Sequence, residues 1–266
     1  MTDPHADRAR HAQGVLAGAG SFLLWGLLPI YWRALRPLPA TQILAHRILW
    51  CAVFVAGVTT ALRGWRPIVQ TLAHARARWF VAGSATFLTS NWLVYVWAVN
   101  SGHVLQSSLG YFITPLLNVA LGTLVLKEPL RTWQRIAIGF AFLGVVAMSI
   151  LFGEVPWIGL AIAATFSMYG LCRKMSVLSS LQGLVVETLV VAPFAFGFLT
   201  WVSTTGGTFL GAPGWVTPTL LIACGPVSAI PLLLFATGAR LLPLSTLGML
   251  QYLSPTVPAA ARGSSV

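Results

Sequence analysis

The 266-residue chain is 57% hydrophobic and 8% charged, with a formal net charge of +11 and a mean hydropathy of +0.81. A soluble domain carries about 25% charged residues, so no water-soluble core can absorb this composition, and disorder is excluded by the same figures. Three cysteines without a CxxC or Cys/His cluster leave neither a disulfide scaffold nor a zinc module; what remains is an all-α, polytopic membrane helix bundle.

Crossing the hydrocarbon takes about 20 mostly apolar residues as a helix. Residues 1–13 are polar and mildly basic, and the apolar run at 14–32 has no small-residue cleavage site after it. It also exceeds the roughly 7–15 residues of a signal-peptide core, which predicts a retained first span. Further spans are predicted at 40–62, 79–99, 104–126, 133–152, 155–171, 182–203 and 216–237, and a ninth begins near Leu244. The connections are short, the longest running from Arg63 to Arg78, so function has to reside among the helices.

Sixteen Lys and Arg residues in a soluble protein would suggest nucleic acid, but here they cluster between apolar runs, the pattern of loops beside membrane spans. With a cytoplasmic N-terminus, the inside segments hold twelve of them, Arg8, Arg10, Arg63, Arg66, Arg76, Arg78, Lys127, Arg131, Arg135, Arg173, Lys174 and Arg240. The outside segments before the tail hold two, Arg33 and Arg36, so the N-in orientation is predicted. Trp32, Trp79, Trp133, Trp157, Trp201 and Trp215 fall at span ends, where interfacial anchors belong.

The chain resembles itself. SFLLWGL at 21–27 aligns with TFSMYGL at 165–171, LAHRILWCAVF at 44–54 with LVVETLVVAPF at 184–194, and SSLG at 107–110 with STLG at 245–248, at offsets of 144, 140 and 138. Five spans in the first unit oblige the second to enter the membrane in the opposite sense, an inverted-topology repeat of the kind common in secondary transporters. The predicted units are 1–152 and 153–266. The second stops eleven residues beyond Pro255, the counterpart of Pro115, which predicts a C-terminally truncated or frameshifted form of a ten-helix protein.

NWLVYVWAVNSGHVLQSSLGYFITPLLN at 91–118, Trp25-Gly26, His46-Arg47, YGLCRK at 169–174, Glu187-Thr188 and LSTLGMLQYLSPT at 244–256 closely resemble the RarD subfamily of EamA-type drug/metabolite transporters. The resemblance covers nearly the whole chain and implies two five-helix EamA repeats, a bacterial inner membrane, and passage of a small molecule. Lys127 stands where the family usually has Gly, and the tenth span is absent.

Individual residues carry the functional expectations. Arg47 lies inside the second span, where a central charge costs roughly 2.5–3.5 kcal/mol. Nine Leu, Ile, Phe and Val residues in that span return about 3–5 kcal/mol on the same scale, so it still inserts. Arg47 either binds a substrate group or snorkels and locks the fold. Glu187 is its counterpart in the repeat, at the opposite depth and displaced axially by on the order of 10 Å. It is either a proton-coupling carboxyl or an interfacial residue near Arg173 and Lys174. His46 is a second candidate for proton response because imidazole titrates near neutrality, whereas His103 sits in an outer connection.

Pro115 and Pro255 interrupt equivalent spans behind Gly110 and Gly248, so a helix break that frees carbonyls for a substrate competes there with a simple kink. Around them Asn91, Tyr111, Thr114, Asn118, Gln251 and Tyr252 offer amide and aromatic groups, either to a polar-aromatic ligand or to neighbouring helices. Glu128, between Lys127 and Arg131, reads as an interfacial salt-bridge residue. There is no HExxH, GxSxG, P-loop or EExxR motif, so neither an enzyme nor a primary pump is expected. The expected partners are the lipid bilayer and a small-molecule substrate, with no nucleic acid, metal or cofactor and with a homodimer left open. The rival expectation is an inactive membrane protein or assembly partner.

Overall fold

A computed structural model describes residues 4–35, 38–153, 155–207 and 215–254. Among these residues there are ten helices: α1 Pro4–Ala34, α2 Ala40–Ala61, α3 Trp65–Leu72, α4 Ala75–Asn100, α5 Val104–Leu124, α6 Thr132–Phe152, α7 Trp157–Met175, α8 Ser180–Thr204, α9 Val216–Leu241 and α10 Leu244–Leu250. Six of them, in α1, α2, α5, α6, α8 and α9, are long and apolar enough by length and composition alone to cross a membrane. The protein is a polytopic helical membrane bundle.

Local chemistry explains the boundaries. Pro39, with its fixed φ, precedes α2, and Pro243 precedes α10. At α8, Ser179 and Gln182 form a reciprocal capping box: Ser179 Oγ accepts from the Gln182 amide at 3.3 Å while the Ser179 amide donates to Gln182 Oε1 at 3.0 Å. α6 stops where Gly153 takes the left-handed conformation, φ 68°. The expected spans correspond to helices within a few residues. The long connection from Arg63 to Arg78 contains something its polar character concealed: the short helix α3, which buries Ile68 and whose Trp65 indole donates to Thr60 Oγ1 at 2.9 Å. The polar segment before Gly14 is likewise helical from Pro4 onward.

α1 packs on α9, α2 on α8 and α9, α4 on α7 and α8, and α5 on α7 and α10, while α6 lies outside against α5. Lipid tails are as apolar as the helix faces, so close backbone approach has to supply the packing energy. It does so at Gly238, where an added Cβ would sit 3.1 Å from the Gly18 Cα, bringing α1 against α9. At Gly225 an added Cβ would overlap the Trp50 carbonyl, bringing α2 against α9. Large apolar side chains such as Leu16, Phe140, Leu151 and Phe194 project outward, a surface that suits hydrocarbon and would be untenable in water.

The central core combines Phe22, Leu44, Ile48, Cys51, Leu88, Trp92, Tyr169, Leu184, Leu232 and Phe235. Within it Phe166 and Phe235 meet at 4.9 Å between ring centroids, Phe22 meets Phe235 edge-on at 6.0 Å, and Tyr169 stacks on Phe235 at 5.8 Å. This aromatic layer separates two polar regions of the bundle.

Candidate functional site

The first polar region surrounds a cavity of about 280 Å³. Helix α1 lends it a stripe at helical spacing, Phe22, Trp25, Pro29 and Trp32; α2 supplies Arg47, α4 Asn91, Trp92 and Tyr95, and α5 Tyr111 and Thr114. From the later helices come Ile162, Phe166, Leu232, Gln251 and Ser254. The space therefore lies between helices from the two ends of the chain.

Arg47 is seven residues into α2, about 10 Å along its axis. Its guanidinium lies 4.8 Å from the Trp92 ring centroid and 5.6 Å from that of Trp32, and its Nε donates to Ser228 Oγ on α9 at 3.0 Å. It has no carboxylate partner among the described residues. Trp32, near the end of α1, is thus also a wall of the cavity. Trp79, Trp133, Trp157, Trp201 and Trp215 remain exposed at helix ends.

Of the expected ligand-binding residues, Arg47, Asn91, Tyr111 and Gln251 line the cavity together. Asn91 is held by two donated bonds, to the Ile162 carbonyl at 2.8 Å and Thr165 Oγ1 at 3.1 Å. Asn118 stands behind the wall, fully buried, and donates to Gln251 Oε1 at 3.4 Å, so it positions Gln251 rather than facing the space. Tyr252 follows Gln251 outside the cavity wall, and its buried hydroxyl has no hydrogen-bond partner among the described residues. His46 is buried beside Arg47 but also lies outside the wall, as neighbours about 100° apart on a helix must diverge. Pro115 lies inside α5, which runs on from Val104 to Leu124, so it does not divide that helix in two; Thr114 Oγ1 bonds the Gly110 carbonyl at 2.6 Å. Pro255 falls outside the described residues.

The second polar region lies on the other side of the aromatic layer. Glu187, seven residues into α8, is 1% exposed, and its Oε1 accepts from Ser84 Oγ on α4 at 2.6 Å and from Arg173 Nη1 at 3.3 Å. Arg173 is 0% exposed and also donates through Nη2 to the carbonyls of Ser179 at 3.0 Å and Ser180 at 3.2 Å. Glu187 is therefore no interfacial residue, and Arg173 is no solvated loop charge. Among the described residues no donor reaches Glu187 Oε2 in bonding geometry, and the buried Tyr169 hydroxyl faces this carboxylate.

Glu128 makes the salt bridge expected of it, but with Lys174 rather than with its neighbours in sequence. It pairs with neither Lys127 nor Arg131; its carboxylate takes the amides of Leu244 and Ser245 at 2.8 and 3.0 Å and sits 3.4 Å from Lys174 Nζ. It caps the start of α10, where orphan amides and the helix dipole favour an anion. Lys174 donates in addition to the Leu242 carbonyl, and Arg240 to that of Leu178. Each carboxylate bridges early and late helices: Glu187 on α8 reaches α4, and Glu128, after α5, reaches α7 and α10.

Ser84, Trp92, Tyr95 and Ser228 escaped the sequence reading. A periodic signal existed for two of them, since Asn91 and Tyr95 share one helix face and Trp92 adjoins it, but Ser84 and Ser228 are ordinary small residues in apolar runs.

The EamA-like transporter family matches residues 12–150. Protein RarD of Streptomyces exfoliatus is 42% identical over 91% of this chain and 77% of its own length. The uncharacterized transporter YojE of Bacillus subtilis is 40% identical over 94% and 84%, and protein RarD of Escherichia coli 36% over 94% and 85%. A solved crystal structure at 16% identity superimposes with a TM-score of 0.70 over 96% of this chain and 90% of its own, a likeness of fold.

Proposed function

The chain belongs to the EamA-like transporter family, as a RarD-type member, and on that premise we propose that it is a secondary transporter of a small molecule across a bacterial inner membrane, working through the Arg47 cavity. The observation that carries this reading is the cavity itself: a mid-bundle space between early and late helices, apolar in most of its wall, with a few converging polar groups. Its position accords with a substrate site between two inverted halves, 1–152 and 153–266. The packing is compatible with that division, because exchanging α1 for α7 and α4 for α9 converts the α1–α9 contact into the α7–α4 contact, and both are extensive. The gathering of Arg63, Arg66, Arg76 and Arg78 around α3 and the start of α4, and of Lys127, Arg131 and Arg135 around the start of α6, supports a cytoplasmic N-terminus.

In this reading the aromatic layer closes the cavity toward the basic end, and the Glu187 and Glu128 bridges hold that end shut. Rocking of the halves requires those bridges to part. Protonation of Glu187 removes its charge from the pair with Arg173 and weakens its hold on Ser84, which couples proton uptake to opening. The test is flux in proteoliposomes under an imposed pH gradient, with wild type and Glu187→Gln. The coupling proposal fails if the variant keeps the wild-type pH dependence, and the transport proposal fails if cavity ligands bind without crossing.

A further inference from the structure

The polar groups of the cavity are unequally distributed, and that imbalance specifies a ligand. Its charge is a single cation, Arg47, and no carboxylate among the described residues lines the space. Among the described residues the two carboxylates within the bundle are engaged at the opposite end, Glu187 with Arg173 and Glu128 with Lys174. Arg47 cannot lose its proton in ordinary conditions, so the charge is permanent, and its remaining donors form a planar fork matched to two oxygens. Gln251 spends its carbonyl on Asn118, which leaves its amino group, a second donor, for the cavity. Asn91 spends both donated bonds on α7 and keeps only its carbonyl oxygen.

A ligand cation finds little in the same space. The indole faces of Trp32 and Trp92, which could hold an ammonium group, are occupied by Arg47 itself. Phe22, Trp25 and Phe166 add an aromatic wall suited to a flat or compact apolar body, and the other polar groups there, the hydroxyls of Tyr95, Tyr111, Thr114 and Ser254, carry no charge. At about 280 Å³ the volume lies just below the range of ligand pockets, roughly 300 to 1,000 Å³, which favours a compact ligand.

Resting on the transporter reading, we propose that the cavity selects a small organic monoanion: one carboxylate, or a group of like charge and shape, on a compact aromatic or aliphatic body without an ammonium group. The anionic group sits on the guanidinium of Arg47 and the amino group of Gln251, and the body lies against Trp25 and Phe166. Arg47 is then the specificity-determining residue. Its indole clamps hold the fork in place before the ligand arrives, which lowers the ordering cost of binding.

Three probes of one shape separate the alternatives: hydrocinnamate, its neutral amide hydrocinnamamide, and phenylalanine, which adds an ammonium group to the same body. Binding is read on purified wild-type protein in nanodiscs at neutral pH, by quenching of the cavity tryptophans and by calorimetry. Hydrocinnamate should bind at least about tenfold more tightly than either of the others, the scale expected of one charge-assisted bidentate contact. Arg47→Gln should abolish that preference, and Arg47→Lys, which keeps the charge but not the fork, should retain part of it. The wild-type comparison needs no variant to fold. Equal or tighter binding of the amide overturns the anion assignment, equal or tighter binding of phenylalanine overturns the exclusion of ammonium, and no binding of hydrocinnamate at millimolar concentration overturns the proposal whole. Counterflow of labelled hydrocinnamate in proteoliposomes is scored separately: preferential binding without counterflow refutes the transporter reading and leaves the ligand class standing.

Discussion

Arg173→Met is the substitution whose consequence the structure specifies most closely. Arg173 and Glu187 are 0% and 1% exposed and 3.3 Å apart, and the only other bond to the carboxylate among the described residues is that from Ser84. Removing the guanidinium strands a buried charge with one hydroxyl donor, which costs about 3–5 kcal/mol. Glu187→Gln should cost less, about 1–3 kcal/mol, because Arg173 keeps the Ser179 and Ser180 carbonyls and the amide oxygen can still accept from Ser84. The double variant strands no charge and should fall short of the sum of the singles by at least about 1 kcal/mol. Gly183→Ala offers an independent check, since an added Cβ at Gly183 would overlap the Arg173 guanidinium and should expel it as surely as Arg173→Met removes it. The assay is reversible unfolding in mixed micelles with a denaturing detergent, followed by tryptophan fluorescence. Costs that add to within about 0.5 kcal/mol would mean the two groups are not coupled, and the account of the second polar region would be wrong.

Further outcomes follow from the same contacts. Ser84→Ala removes the 2.6 Å bond to Glu187 and should destabilise by about 1–3 kcal/mol, less than Arg173→Met in the same assay; an unchanged midpoint would refute the bridge between α4 and α8. Glu128→Gln gives up the charge opposite Lys174 and weakens the cap on α10, at a cost of about 0.5–2 kcal/mol. Hydrogen exchange at the Leu244 and Ser245 amides should accelerate in that variant, and unaltered protection there would count against the cap. Gly225→Ala forces α2 and α9 apart at the Trp50 carbonyl and should cost about 1–3 kcal/mol, read as a lower melting temperature in detergent; tolerance would show that the crossing is looser than described.

Composition and hydropathy along the chain already specify the membrane, most of the spans and where the basic residues gather. These are local properties: in lipid every backbone group must be satisfied within its own helix, so a run of apolar residues long enough to cross is a helix whatever its neighbours do. That is why α2, α5, α8 and α9 could be placed to within a few residues, and why Arg47 and Glu187 stood out as charges inside apolar runs. α3 escaped because its eight residues make no span, and its helicity rests on seating Ile68 against the bundle. Which polar groups meet depends on how the helices pack. The sequence puts Arg173 in a connection, yet it is buried on Glu187, and Trp32, near the end of α1, is also stacked on Arg47. Ser84 lies 103 residues from Glu187, and Ser228 lies 181 from Arg47. Such pairings depend on the rotation and register of each helix against its neighbours. Those are set by close approaches like Gly225 on Trp50 and Gly238 on Gly18, where two distant segments must be known together before either has meaning.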